Sequence, residues 1–262
     1  MHTFVICAYK ESDYLRDCIL SLKNQSIRSE IICATSTPND YISSICNEYG
    51  IPLYINAKQQ GIAADWNFAL SKAKTQYVTL AHQDDIYEPE FLEETLKMTD
   101  KCPDPLIAFT DYYEIREGKK IVNNKLLLIK RIMSAPWRFG IFKRSRLAAR
   151  SIFMFGTPIC CPSVTFNLEA IKKRDTGLFN SDYKTNCDWL AWIEIRDEKG
   201  EFLYCPKKLM GHRIHIDSET SNGIADKTRS REDFEILRML APKPIARAVH
   251  YFYVRAQISN KA

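Results

Sequence analysis

The sequence is poor in glycine and proline, with nine and eleven among 262 residues. So few of them exclude a collagen-like chain and argue against a long flexible linker or a disordered protein. Apolar residues make up 45% and charged residues 26%, which is typical of an ordinary globular protein. A chain of this length folds as one large domain, or as two small lobes that share a core.

Long hydrophobic runs are also lacking. The apolar stretch 4–9 is shorter than the core of a signal peptide, and no basic residues lead into it. The best candidate for a spanning helix, residues 151–166, falls short of the roughly 20 apolar residues required and is broken by Gly156, Pro158 and Pro162. We therefore expect a cytoplasmic protein that is able to lie on the inner face of a membrane.

The nine cysteines include no CxxC pair, and their number is odd. This pattern favours buried free thiols over a disulfide framework or a thiolate metal site. The excess of basic over acidic residues, 37 against 32, is too small to indicate nucleic acid. Because no nucleic-acid reading motif accompanies it, we expect no nucleic-acid partner.

The first 110 residues alternate between strand and helix patterns. Strands are predicted at 3–8, 30–34, 51–56, 77–81 and 106–110, and helices at 11–23, 40–49, 63–74 and 90–101. Such alternation with short links predicts an α/β fold with a Rossmann-like, mostly parallel sheet flanked by helices. Sheets of this kind bind ligands beyond the carboxyl ends of their strands.

The second half is less regular. Helices are predicted at 135–155, 188–196, 228–240 and 244–258, and strands at 161–167, 202–204 and 209–215. We find no internal repeat and no low-complexity segment.

The strongest local signal is the polar stretch His82-Gln83-Asp84-Asp85, which directly follows a predicted strand. Two carboxylates and an imidazole at a strand end suit a divalent cation, either Mg²⁺ or Mn²⁺. The alternative is an acidic turn that caps the helix starting near Pro89.

Six segments together resemble the family 2 glycosyltransferases, which have the GT-A fold. They occur in the order of that family from the N-terminus to about residue 221. The segments are 4–11, the 14–25 helix with Tyr14-Leu15, Ser21-Leu22 and Asn24-Gln25, then 61–74, 83–87, Asp188-Trp189, and Arg213-Ile214-His215.

This resemblance implies one continuous GT-A domain. Residues 1–111 would form its nucleotide-sugar-binding half, and residues 112–262 its acceptor-binding half with the C-terminal helices. The implied reaction is inverting transfer of a sugar from a nucleotide-diphosphate sugar, a UDP-sugar being favoured. The implied acceptor is the hydroxyl of a saccharide or a lipid-linked molecule, in surface polysaccharide or glycolipid assembly.

The resemblance also implies roles for particular residues. Mn²⁺ or Mg²⁺ would lie on Asp84, Asp85 and His215 and neutralise the leaving diphosphate. Asp188 would be the general base that accepts the proton of the attacking hydroxyl. The implied donor-binding residues are Ala8, Tyr9, Glu11, Thr35, Ser36, Asn67, Gln83 and Asp84.

Several positions depart from the family pattern. His82 and Cys187 occupy places that are usually acidic, and Trp66 stands where an Arg often precedes Asn67. Residues 34–37 replace a usual Asp-Asp-Gly-Ser. These departures leave open a degenerate binding or scaffold subunit. A nucleotidyltransferase is a further alternative, although it usually has a glycine-rich loop after the first strand, and residues 7–11 contain no glycine.

No acidic residue occurs between Glu117 and Glu169. The segment Lys119–Arg150 nevertheless contains ten basic residues, interleaved with apolar ones such as Trp137 and Phe139. This mixture predicts contact with an anionic membrane surface or a phosphorylated acceptor. The alternative is a solvated face whose acidic partners lie elsewhere in the fold.

Overall fold

The computed structural model describes residues 1–58, 61–172, 174–175, 177–215 and 228–259. Its strands are β1 His2–Ala8, β2 Glu30–Thr35, β3 Leu53–Ile55, β4 Tyr77–His82, β5 Ile86–Tyr87, β6 Pro105–Arg116, β7 Lys119–Ile121, β8 Val164–Asn167 and β9 Glu201–Ile214. Its helices are α1 Leu15–Lys23, α2 Asp40–Tyr49, α3 Ile62–Lys72, α4 Phe91–Thr99, α5 Lys125–Ser134, α6 Gly140–Arg144, α7 Arg146–Phe153, α8 Cys187–Arg196, α9 Thr228–Leu240 and α10 Lys243–Ser259.

The described strands form one sheet in the order β3-β2-β1-β4-β8-β6-β9-β5, with β7 paired to β6. Strands β3, β2, β1 and β4 are parallel. The predicted Rossmann-like arrangement is therefore confirmed in the first half, and helices cover both faces of the sheet. One buried cluster includes residues of α1, α2 and α4, and the other includes residues of α3, α7 and α8.

The second half makes the sheet mixed rather than mostly parallel. Strand β8 inserts between β4 and β6 and is antiparallel to both. Strand β9 then pairs in parallel with β6 along its whole length. The two strands predicted at 202–204 and 209–215 are thus one strand, because irregular pairing near Asp111 lets it continue past the break in its apolar pattern.

The predicted helix at 135–155 is divided. A 3₁₀ turn at Ala135–Arg138 is followed by α6 and α7, and the sequence did not predict α5 before them. In the described part of the chain, no helix has both the length and the apolar character needed to cross a bilayer.

The start of α8 is held by a buried carboxylate from α9. Glu232 accepts hydrogen bonds from the backbone N–H groups of Lys184, Thr185 and Asn186 at 2.7–3.0 Å. The Thr185 hydroxyl also donates to it. Because these donors lie just before α8, helix α9 fixes where α8 begins.

We expect Glu232→Ala to lower the free energy of unfolding by about 2–4 kcal/mol, because the buried N–H groups lose a charged acceptor. Equilibrium urea unfolding measures this loss. Glu235→Ala is the matched control, since that carboxylate on the same helix is half exposed in a pair with Arg231. Equal, small losses in the two variants would contradict the capping role.

Candidate active site

The carboxyl ends of three parallel strands meet at one edge of the sheet. Ala8 pairs with Thr35 at the end of β2, and Cys7 pairs with His82 at the end of β4. The loops that follow these strands therefore lie side by side. They carry most of the donor-binding residues predicted from the sequence.

The loop after β1 is fixed by Gln83. Its side-chain amide accepts from the Tyr9 backbone N–H at 3.0 Å and donates to the Tyr9 carbonyl at 2.8 Å. Lys10 then adopts a positive φ of 55°, and its N–H donates to the Thr37 hydroxyl at 2.6 Å. Tyr9, Thr35 and Gln83 thus share one region, and the Tyr9 ring remains exposed.

The loop after β2 is fixed by Asp65, which the sequence analysis did not single out. One carboxylate oxygen accepts from the Ser36 hydroxyl at 2.7 Å, and the other accepts from the Asn56 amide at 2.8 Å. Asp65 lies in the first turn of α3, so this helix orients the Ser36 side chain.

Glu11 is exposed in the loop after β1.

Asp84 and His215 come together across the chain. Oδ2 of Asp84 lies 3.2 Å from Nε2 of His215, just past the end of β9. The other oxygen, Oδ1, accepts from the Ser12 hydroxyl at 2.6 Å. Both Asp84 and His215 are about one quarter exposed. The pair is therefore accessible from solvent at the edge where the strands end.

This pair fits a divalent cation. A carboxylate and an imidazole are common protein ligands, and together they favour Mn²⁺ over Mg²⁺, which prefers oxygen ligands alone. Among the described residues, no group of three or more His, Cys, Asp or Glu side chains is arranged to hold a metal ion. The binding of a cation by Asp84 and His215 therefore stays a prediction.

Asp85 is the third residue that we predict to hold the cation. Its carboxylate is buried, Oδ1 lies 3.1 Å from Nδ1 of His212, and the same oxygen accepts from the Arg213 N–H at 2.9 Å. These contacts link Asp85 to the chain next to His215, and its position thereby supports the Asp84–His215 pair. The expected role of Asp85 as a metal ligand stays a prediction. His212, the first histidine of the stretch 212–215, was missed by the sequence analysis.

Asn67 joins α3 to the segment before α8. Its amide accepts from the Phe179 N–H at 3.0 Å and donates to the Phe179 carbonyl at 2.7 Å. The same amide lies against Gly177, where φ is +77° and a β-carbon would collide with it. These contacts make Asn67 a structural link, and a direct contact with the donor stays a prediction.

Asp188 lies in the first turn of α8 and accepts from the Trp189 N–H at 2.7 Å. Burial raises the pKa of Asp188 above its usual range, although the charges of Arg229 and Lys130 and the Trp189 hydrogen bond partly offset this. A carboxylate with a raised pKa is a better proton acceptor near neutral pH. Burial raises the pKa of the Cys160 thiol, and the charges of Asp85 and Asp188 raise it further.

Two departures from the family pattern are in contact. The rings of Trp66 and His82 stack with centroids 4.9 Å apart and an angle of 28° between their planes. Burial lowers the pKa of His82, so its imidazole is neutral at physiological pH. An aromatic stack thus occupies the position where the family pattern places an arginine and an aspartate.

A sequence model of the glycosyl transferase family 2 matches residues 3–164. This match covers more than half of the chain and includes the strand ends with Asp84. The chain belongs to glycosyl transferase family 2. The family was inferred correctly from the ordered motifs, and His215 and Asp188 lie beyond the matched region.

Curated relatives are distant. An uncharacterized glycosyltransferase of Rickettsia typhi is 22% identical over 239 residues, covering 90% of this chain and 69% of its own. Glycosyltransferase GlyA of Streptococcus pneumoniae is 28% identical over 122 residues, or 45% of this chain. The alignment spans only 17% of GlyA's length, so this chain corresponds to a small part of that protein.

Solved structures share the fold. TarS of S. aureus, residues 1–349 in complex with UDP-GlcNAc, superposes with a TM-score of 0.67 at 14% identity over 98% of this chain and 72% of TarS. The mannosyltransferase PcManGT of Pyrobaculum calidifontis, in complex with GDP-Man and Mn²⁺, superposes with a TM-score of 0.64 at 16% identity. This superposition covers 95% of this chain and 69% of PcManGT. The predicted GT-A fold is therefore confirmed.

We expect Trp66→Arg and His82→Asp to be coupled. Each single change breaks the stack and adds an unpaired, partly buried charge, whereas the double variant pairs the two charges. The double variant should be more stable than the sum of the single effects, by about 0.5–3 kcal/mol, as for other residues in contact. Urea unfolding of all four proteins measures this, and strict additivity would contradict the coupling.

Proposed function

We propose that the protein is an inverting glycosyltransferase that moves a sugar from a nucleoside diphosphate to an acceptor hydroxyl. The observation that supports this most strongly is the pairing of Asp84 with His215 at 3.2 Å, beside the loops that follow β1 and β2. The pair offers a cation site at the carboxyl ends of the strands, which is where open α/β sheets bind their ligands.

The donor half supports a nucleotide ligand. Tyr9, Thr35 and Ser36 lie at the strand ends, where Gln83 and Thr37 accept from backbone N–H groups of the first loop and Asp65 accepts from the Ser36 hydroxyl. Fixed loops bind a ligand with less loss of conformational entropy than mobile ones. The structural neighbours hold UDP-GlcNAc or GDP-Man, and we favour a UDP-sugar for this chain as well.

Asp84 and His215 would hold the Mn²⁺ or Mg²⁺ ion. When bound, the cation would neutralise the negative charge that develops on the leaving diphosphate. Ser12 holds Asp84 in position through its hydroxyl. Asp85 keeps the backbone of residues 212–213 against the end of β4.

Asp188 would act as the general base. Its carboxylate would accept the proton of the acceptor hydroxyl while that oxygen attacks the anomeric carbon and the diphosphate leaves from the opposite side. One displacement inverts the configuration at that carbon. Burial raises the pKa of Asp188, and the charges of Arg229 and Lys130 partly offset that rise.

We propose a saccharide or lipid-linked acceptor and a role in surface polysaccharide or glycolipid assembly. The acceptor would approach from the half that carries α8, because Asp188 lies there. A cytoplasmic location and a peripheral membrane contact through Lys119–Arg150 belong to the same proposal.

We expect Asp84→Asn and His215→Ala each to remove most of the Mn²⁺-dependent thermal stabilisation by UDP or GDP. A ligand that binds only the native state raises its apparent stability, and each variant loses one cation ligand. Asp13→Asn is the matched control, because Asp13 is an exposed carboxylate next to Ser12. Full stabilisation in both site variants would refute the proposed cation site.

We expect Asp188→Asn to lower turnover by about 10²–10⁴-fold, the usual cost of losing a general base, while binding of UDP with Mn²⁺ stays near normal. Hydrolysis of a screened set of UDP- and GDP-sugars, with water as acceptor, measures the rate. In the wild type, the rate should fall as pH drops through the raised pKa of Asp188. Arg229→Gln should move this acid limb to higher pH, because the lost positive charge no longer lowers that pKa.

Two outcomes would contradict this account. An unchanged pH profile in Arg229→Gln together with full activity of Asp188→Asn would exclude Asp188 as the base. Tight nucleotide binding without turnover of any donor would support the non-catalytic binding subunit instead.

A further inference from the structure

The outer face of α5 is apolar. Three of its apolar side chains are exposed, namely Leu128, Ile129 and Ile132. They follow Lys125 by three, four and seven positions, so the four residues form one stripe along the helix. In a helix that packs on a core, such a stripe normally points inward. Here Leu127 and Ser134 of the other face are buried instead. The stripe is therefore displayed to solvent.

The exposed apolar surface continues over the next helices. Phe139, Leu147 and Phe155 are each more than half exposed. Helix α5 packs against the 3₁₀ turn at 135–138, that turn packs against α6, and α6 against α7. Six of the thirteen large apolar side chains exposed in the described part of the chain thus lie between residues 128 and 155.

The inner side of this segment is firmly anchored. Trp137 is fully buried, contrary to the expectation that it belongs to the binding surface, and its ring packs against Phe109, Phe153 and Phe202. The exposed side chains are therefore held by a rigid base. We call the exposed side chains Leu128, Ile129, Ile132, Phe139, Leu147 and Phe155 the apolar face.

The charges around the apolar face are partly balanced. Four of the ten basic side chains pair with carboxylates from other parts of the fold, as the alternative interpretation predicted. These pairs are Lys120–Glu88, Arg131–Asp111, Arg144–Glu201 and Arg150–Asp197. Five others have no acidic partner within ion-pair distance among the described residues, namely Lys119, Lys125, Arg138, Lys143 and Arg146. The segment therefore keeps a positive charge.

We infer that the apolar face inserts into the interface of an anionic membrane, with the five unbalanced cations against lipid headgroups. A segment that combines several exposed apolar side chains with unbalanced cations matches such an interface. Each cation near an anionic surface adds about 1 kcal/mol, and the apolar side chains add affinity that salt does not screen.

This orientation also specifies the acceptor class, and in that respect it rests on the proposed function. Lys130 lies on α5 but away from its exposed stripe, and its ammonium donates to the Tyr112 hydroxyl at 2.9 Å. The Tyr112 ring lies edge-on to the His212 imidazole, with the ring centroids 6.2 Å apart. Helix α5, which carries part of the apolar face, is thus linked to the site through Lys130 and Tyr112. The acceptor hydroxyl would belong to a lipid-linked molecule held at the same membrane.

The test is cosedimentation with vesicles of phosphatidylcholine, with and without phosphatidylglycerol, at low and high salt. The wild type should bind the anionic vesicles, and salt should weaken this binding without abolishing it. Leu128→Ser/Ile132→Ser and Leu147→Ser/Phe155→Ser should each bind at least about tenfold more weakly, because two apolar side chains are lost. Leu20→Ser/Ile55→Ser is the control, since these exposed apolar residues lie in the donor half.

The outcomes separate this inference from the proposed function. Absence of wild-type binding to anionic vesicles at low salt, or equal binding by all variants, would overturn it. Sedimentation velocity without vesicles shows whether the apolar face instead joins two copies of the chain; a dimer lost in the face variants would also overturn it. Unfolding temperature and UDP–Mn²⁺ stabilisation should stay normal in those variants, so a failed membrane test leaves the nucleotide site unaffected.

Discussion

The buried carboxylate of Asp85 is the contact on which the site depends. It joins the end of β4 to residues 212–213 of β9, which are more than a hundred positions away in the sequence. Burial alone would raise the pKa of Asp85, but the charge and hydrogen bond of His212 outweigh it and hold that pKa below its usual range. The ionised carboxylate therefore stays paired, and β9 is fixed against the strand end.

The consequences reach Asp84 and His215. The Arg213 guanidinium donates to the Asp84 carbonyl at 2.9 Å and lies over the Tyr14 ring at 4.0 Å. The Tyr14 ring also lies next to the His215 imidazole. With Arg213 held on both sides, His215 is directed toward the Asp84 carboxylate. The Asp85–His212 contact thereby positions the neighbouring side chains of Asp84 and His215, which are the proposed ligand-binding pair.

The sequence analysis recovered what depends on local patterns. Apolar runs were enough to predict the strands β1 to β4, and helical spacing of apolar residues was enough to predict the helices α1 to α4. Each of these elements buries a face that is visible as a local period in the sequence. The insertion of β8 and the Glu232 cap could not be predicted, because they join residues that are distant in the chain and have no local signal. The contact of Asp85 with His212 could not be predicted for the same reason, and the expected metal role of Asp85 stays a prediction. Trp66 and His82 both depart from the family pattern, and the structure shows that their rings stack on each other.

The central claim is that one carboxylate and one imidazole hold a cation beside a nucleoside diphosphate. Pulsed electron paramagnetic resonance of Mn²⁺ bound to the protein with UDP tests it most directly, because a coordinated imidazole gives nitrogen modulation of the electron spin echo. The account predicts this nitrogen signal in the wild type and its loss in His215→Gln. Tightly bound Mn²⁺ with no nitrogen coupling in the wild type, or with the same coupling in His215→Gln, would contradict it.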